Sequence, residues 1–191
     1  MIPRSKMANS TVEITFYGRG GQGAVTAAQI IAQAAIKRGL FASSFPEYGA
    51  ERRGAPVRAY VRLSREPIVA REPIERPNIS VVFDVRLLRI FNIPAITRDT
   101  IVVNASSKDE VKQELSSFNG RVIYVNAYGI AMKHLGRPIV NTTMLGALLR
   151  VLDLVDIETV KALVMETFGG KAGRANAEAL EEAYKTAEVV S

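Results

Sequence analysis

The chain contains no cysteine. Disulfides, thiol nucleophiles and cysteine-ligated iron–sulfur clusters are therefore excluded. Histidine is almost as scarce. His134 stands alone, which leaves little room for a His-based metal site or triad. Its position just before Gly136 suits a helix end or a surface. Long apolar runs are missing too, and the longest stop well short of the ~20 residues of a membrane span. No membrane partner is expected. The opening MIPRSKMANS has basic residues but no apolar segment after them, unlike a secretory signal. Residues 1–10 read as a disordered leader, with Met7 as an alternative start, and a cytoplasmic protein is expected. No repeat, low-complexity tract or linker divides residues 11–191, which are expected to form a single domain.

The charge is uneven. The net charge is +6, and residues 1–76 hold all of it, with 12 basic and 6 acidic side chains. Residues 77–191 carry 13 of each. Arg52, Arg53, Arg58, Arg62 and Arg65 supply much of the excess. Such a bias suits an anionic ligand, nucleic acid or an acidic partner, or simply a solvated strand face. No nucleic-acid reader motif accompanies it, and only Tyr60 is interleaved with the basic strand. Nucleic acid is not expected.

Short β-branched apolar runs alternate with helical patterns. Strands are predicted at 12–17, 40–45, 57–65, 79–83, 100–104 and 121–126. Helices are predicted at 24–38, 85–91, 108–117, 127–135, 142–152, 157–168 and 175–188. PIVA, residues 67–70, is expected to form a hairpin with the strand before it. In that strand Val57, Ala59, Val61 and Leu63 face the core, and Arg58, Tyr60 and Arg62 form a basic outer face. The alternation implies an α/β fold with a parallel or mixed sheet covered on both sides.

One loop draws attention. GRGGQG, residues 18–23, follows the first strand and opens the first helix, which is the Rossmann-like order of the dinucleotide fingerprint. A helix N-terminus offers free N–H groups and partial positive charge to a phosphate, and Arg19 adds a cation. The loop holds NAD, another phosphate-bearing ligand, or nothing. NAD also requires an acid for its ribose. Glu47 is the best placed, but Glu51, Arg52 and Arg53 follow closely, and paired arginines suit phosphate better than a diol. Asn104 and Asn126 are expected to cap or turn, as is Asp84. Asn141 is expected in an N-cap region.

GRGGQGAVTAAQ, FPEYGAERRGAPVRAYVRLS and NTTMLGAL occur in that order, with ISVVFD, TIVVNAS and VIYVNAYGIAMKHLG between them. Together they resemble the gamma subunit of the 2-oxoacid:ferredoxin oxidoreductases, and ERRGAP resembles the pyruvate branch or a subunit shared with the branched-chain 2-oxoacid branch. The resemblance implies a three-layer αβα domain within a complex of alpha, beta, gamma and delta parts. That complex converts a 2-oxoacid and coenzyme A into acyl-CoA and CO2 and passes electrons to ferredoxin. Thiamine diphosphate with its Mg, and the iron–sulfur clusters, are implied on partner subunits. The absence of cysteine fits this, as does the absence of a G-D-G followed by paired asparagines. By the same resemblance Gly18, Arg19, Gly20, Gly21, Gln22 and Gly23 bind coenzyme A. Arg52 and Arg53 extend that site or contact a neighbouring subunit. No catalytic or metal-binding residue is expected on this chain. An autonomous NAD(P)-binding enzyme and a purely structural adaptor are the alternatives.

Overall fold

The computed structural model describes residues 11–47 and 54–190. The 1–10 leader, Arg52 and Arg53 lie outside the described residues. The chain opens with β1 (Val12–Arg19), α1 (Ala24–Lys37), β2 (Phe41–Pro46) and β3 (Pro56–Ser64). It continues with β4 (Ile79–Val82), α2 (Leu87–Ile90), α3 (Ile93–Ile96), β5 (Thr100–Asn104), α4 (Lys108–Glu114) and β6 (Arg121–Val125). It closes with α5 (Ala127–Leu135), α6 (Asn141–Leu148), α7 (Ile157–Phe168), α8 (Gly170–Thr186) and β7 (Glu188–Val189).

The strands form one sheet in the order β2-β3-β1-β4-β5-β6-β7. The centre, β1-β4-β5-β6, is parallel. The flanking pairs β2-β3, β3-β1 and β6-β7 are antiparallel. Alternate strand residues serve opposite layers. Ile79, Val81 and Val102 pack under α1 and α5 to α8. Val82, Ile101 and Val103 pack under α2, α3 and α4. The result is a three-layer α/β architecture. The local strand–glycine loop–helix unit is present, but the Rossmann-like pairing beyond it is not. β2 does not pair with β1, because β3 enters between them antiparallel to both.

Helix α1 is rich in alanine for a packing reason. Ala24, Ala27, Ala28, Ala34 and Ala35 are buried against the sheet with Ile30 and Ile31, and small side chains let helix and sheet approach closely. Gly39 ends it at φ 78°, as its place after the last helical residue suggests.

Several boundaries depart from expectation. PIVA forms no strand, and Val69 is almost fully exposed. The predicted helix at 85–91 is the single turn α2, and Asn92, at φ 50°, separates it from a second turn, α3, outside the predicted range. α8 begins at Gly170, five residues before the predicted start. The basic face of β3 is not solvated. Arg62 is 3% exposed, with its Nε donating to Glu13 Oε1 at 3.0 Å. The segment after β3 folds back over it, bringing Ala70 O to 3.5 Å from Nη1. Phe45 lies under its guanidinium at 5.8 Å. No helix among the described residues is long and apolar enough to cross a membrane.

Candidate functional site

The glycine loop lies where the sheet changes direction of winding. β1 leads into α1 on one layer, while its parallel neighbour β4 leads into α2 and α3 on the other. Open α/β sheets leave a crevice at such a point, beyond the carboxyl ends of the strands. Here a cleft of about 650 Å³ opens, lined by Arg19, Gly20, Gly21, Gly23, Ala24, Val25, Pro46, Glu47, Val57 and Arg58.

The backbone donors of the loop divide into two sets. Those of the first set are used internally. Gly20 N–H donates to Ala55 O at 2.8 Å, and Gln22 N–H to Arg19 O at 2.9 Å. Arg19 N–H donates to the Gln22 side chain at 2.7 Å. Gln22 in turn donates from Nε2 to Tyr128 Oη at 3.2 Å, so its amide braces the loop against α5. The second set is free. The first helical bond of α1 runs from Ala27 N–H to Gly23 O. That leaves the N–H groups of Ala24, Val25 and Thr26 without intrahelical acceptors. Gly23 supplies no side-chain cap, and the first turn contains no acid. The N–H groups of Gly21 and Gly23 likewise have no acceptor among the described residues. Five donors without acceptors therefore lie at the N-terminal end of a 14-residue helix, a setting that favours an anion.

The glycines are not equivalent. A Cβ on Gly18 would press Ala24 Cβ at 3.2 Å and the Phe83 ring at 3.3 Å. One on Gly23 would come within 2.5 Å of Asn141 Nδ2, and its φ is 79°. Gly21, at φ 92°, has nothing within 4 Å of that position. Two glycines serve packing, and Gly21 faces open space.

The charged side chains are mostly committed. Glu47 and Arg58 form a bidentate pair, so the acid best placed for a ribose already holds a guanidinium. Arg58 also stacks over Phe91 at 5.2 Å. Asp84 is 3% exposed and is held by Arg86 and Arg19. Burial alone would raise its pKa, but the hydrogen bonds from Arg86 and the charges of Arg86 and Arg19 together outweigh burial and keep the carboxyl below its usual range. Burial, then the Asp84 charge, push the Tyr128 phenol up.

The asparagines are structural. Asn104 Nδ2 donates to Phe83 O at 2.9 Å, and its Oδ1 accepts from Ala127 N–H at 2.9 Å. Asn126 accepts from Gly129 N–H and caps α5. Asn141 is the first residue of α6 and packs against Gly23. His134 lies against Glu182 at 2.6 Å, away from the loop. A second cleft of about 530 Å³, with Arg137, Lys171 and Phe168 in its walls, adjoins that histidine. No group of three or more His, Cys, Asp or Glu able to hold a metal occurs among the described residues.

The sequence places the loop and the free N–H groups at the start of α1, but not Tyr128. Tyr128 reaches the loop only through the tertiary fold, from 106 residues away.

Residues 13–186 match the family described as POR, pyruvate ferredoxin/flavodoxin oxidoreductase. The chain is 46% identical over 176 residues to the pyruvate/ketoisovalerate oxidoreductases common subunit gamma of Thermococcus kodakarensis, across 91% of this chain and 95% of that protein. It is similar to the crystal structure of the pyruvate oxidoreductase subunit PORC of Thermotoga maritima, with TM-score 0.80 and 36% identity over 94% of this chain and 98% of that one. The fold recurs in the 2-oxoglutarate:ferredoxin oxidoreductase of Magnetococcus marinus, solved with 2-oxoglutarate, coenzyme A and succinyl-CoA bound. There the TM-score is 0.74 at 20% identity, over 92% of this chain and 30% of that one. The chain belongs to the pyruvate ferredoxin/flavodoxin oxidoreductase family, as a gamma subunit.

Proposed function

We propose that this gamma subunit serves a pyruvate-type 2-oxoacid:ferredoxin oxidoreductase by holding coenzyme A at the glycine loop. The acyl transfer and electron transfer then belong to cofactors on partner subunits, and this chain supplies binding and orientation. The observation that carries the reading is the uncapped N-terminus of α1. Most of its N–H groups without acceptors belong to residues that line a cleft shared with Arg19. Coenzyme A offers a diphosphate to such donors and a 3′-phosphate to a guanidinium. Gly21, Gly23, Ala24 and Val25 take the diphosphate through backbone N–H groups. Gly18, Gly20 and Gln22 shape the loop that presents them. Arg52 and Arg53 fall in sequence between β2 and β3, the strands that border the cleft, and are assigned to the outer phosphate.

The test replaces Gly21, the glycine with open space around it. Gly21→Asp puts a carboxylate beside the anion, and like charges a few ångströms apart repel. In the assembled enzyme the KM for coenzyme A is expected to rise at least about tenfold, equivalent to ~1.4 kcal/mol. The KM for the 2-oxoacid is expected to stay constant. Gly21→Asn shares the backbone strain without the charge and is the control. An intact complex whose coenzyme A KM does not change in Gly21→Asp would refute the assignment. Loss of assembly with coenzyme A affinity preserved in the surviving complex would favour an adaptor role for the loop.

A further inference from the structure

Asp84 follows the carboxyl end of β4, beside Arg19 at the end of β1. Its side chain is only 4% exposed. A carboxylate so buried requires compensation by charge and hydrogen bonds. Arg86 provides it through its backbone N–H at 3.0 Å, Nε at 2.9 Å and Nη2 at 2.6 Å. One cation therefore satisfies Asp84. A second arginine is nevertheless held nearby, with Arg19 Nε 3.5 Å from Asp84 Oδ2. Charge-assisted bonds of full strength are shorter, about 2.7–2.9 Å. On the other side Arg19 Nη1 lies 3.4 Å from Gly54 O, again a long contact. Nη2 has no acceptor among the described residues. The backbone of Arg19, by contrast, is fixed by Gln22. Among the described residues the guanidinium is thus placed at the cleft and held only by long contacts.

We propose that Asp84 is a positioning residue of the glycine-loop site. It holds Arg19 at the mouth of the cleft and yields it to a phosphate of the incoming ligand. Arg86 makes the exchange inexpensive, because Asp84 keeps its full set of short bonds when Arg19 turns away. A phosphate oxygen then takes the Nε and Nη1 donors that Asp84 and Gly54 hold loosely. This inference rests on the coenzyme A reading of the loop.

A double-mutant cycle on the assembled enzyme, read as KM for coenzyme A, tests it. Arg19→Gln is expected to raise KM about tenfold, the size of a hydrogen bond to a charged group. Asp84→Asn is expected to raise it roughly threefold, as for one weak ion pair. Asp84→Asn added to Arg19→Gln is expected to do nothing further, since a residue acting through another is silent once that other is gone. Asp84→Glu keeps the charge and is expected to lie nearer the parent enzyme than Asp84→Asn. If Arg19→Gln leaves KM unchanged while Gly21→Asp raises it, Arg19 does not reach the ligand and this inference alone fails; if both leave KM unchanged, the coenzyme A reading fails and this inference with it. If Arg19→Gln raises KM while Asp84→Asn has no effect, or multiplies in full on the Arg19→Gln background, only the positioning role fails. A complex that no longer assembles with Asp84→Asn would mark Asp84 as structural and also overturn it.

Discussion

Two glycine-bearing motifs, GRGGQG and NTTMLGAL, meet in this fold and use glycine for opposite ends. In α6, Gly146 lies where α8 crosses, and a Cβ there would sit 2.0 Å from Leu180 O. Its glycine is an absence that lets two helices touch. In the loop, Gly21 has open space and a left-handed backbone, so its glycine is a conformation. Gly23 does both, because its φ is left-handed and Asn141 from the other motif fills the space beside it. A glycine in a motif is therefore weak evidence for a ligand until its surroundings are known. Of the glycines whose surroundings the structure gives in this loop, only Gly21 is left open to one.

That contrast can be broken at three points. Gly146→Ala is expected to cost most, because the obstacle is a backbone carbonyl that cannot swing aside. Overpacking costs about 1–3 kcal/mol and occasionally more. A loss of about 3 kcal/mol, or roughly 6–12 °C in Tm for a chain of this size, is expected in thermal unfolding. Gly23→Ala comes next. It combines left-handed strain of about 1–2 kcal/mol with contact against the Asn141 amide, which is a side chain and can shift. About 2 kcal/mol is expected from denaturant titration. Adding Asn141→Ser should return part of that loss, and strict additivity of the two changes would show that they do not share a space. Gly21→Ala is expected to cost least, about 1 kcal/mol of strain, with no packing loss. A Gly21→Ala variant as unstable as Gly23→Ala would erase the distinction.

The sequence was most readable where one signal dominated. β5, α5 and α7 begin and end where the pattern places them. Asn126 and Asp156 cap the two helices, and Gly136 and Gly169 follow their last turns. β3 was harder. Its alternation correctly assigns Val57, Ala59, Val61 and Leu63 to one face, but the pattern cannot reveal what lies over the other. Arg62 is buried there because Glu13, Phe45 and the segment after β3 surround it. None of these is its neighbour in sequence. GGKAG looks like a helix breaker, which puts the expected start of α8 five residues late, yet Gly173 sits against Met165 O, where a Cβ would come within 2.6 Å. Close packing of α7 and α8 overrides helix propensity at that point. The candidate site divides in the same way. The loop and Arg19 are legible from spacing. The use of Gly20 and Gln22 as internal braces, and the pairing of Glu47 with Arg58, depend on contacts made only in the folded chain.

The contact of Asn141 with Gly23 has a consequence for descent. A side chain at position 23 is strained by the left-handed backbone in any case, and it meets the Asn141 amide as well unless position 141 has already become smaller. A large residue at 141 correspondingly confines position 23 to glycine. The two sites are far apart in the chain and lie in different motifs, yet they must drift as a pair. Across diverging lineages, a relative with alanine or serine at 23 is expected to carry glycine, alanine or serine at 141.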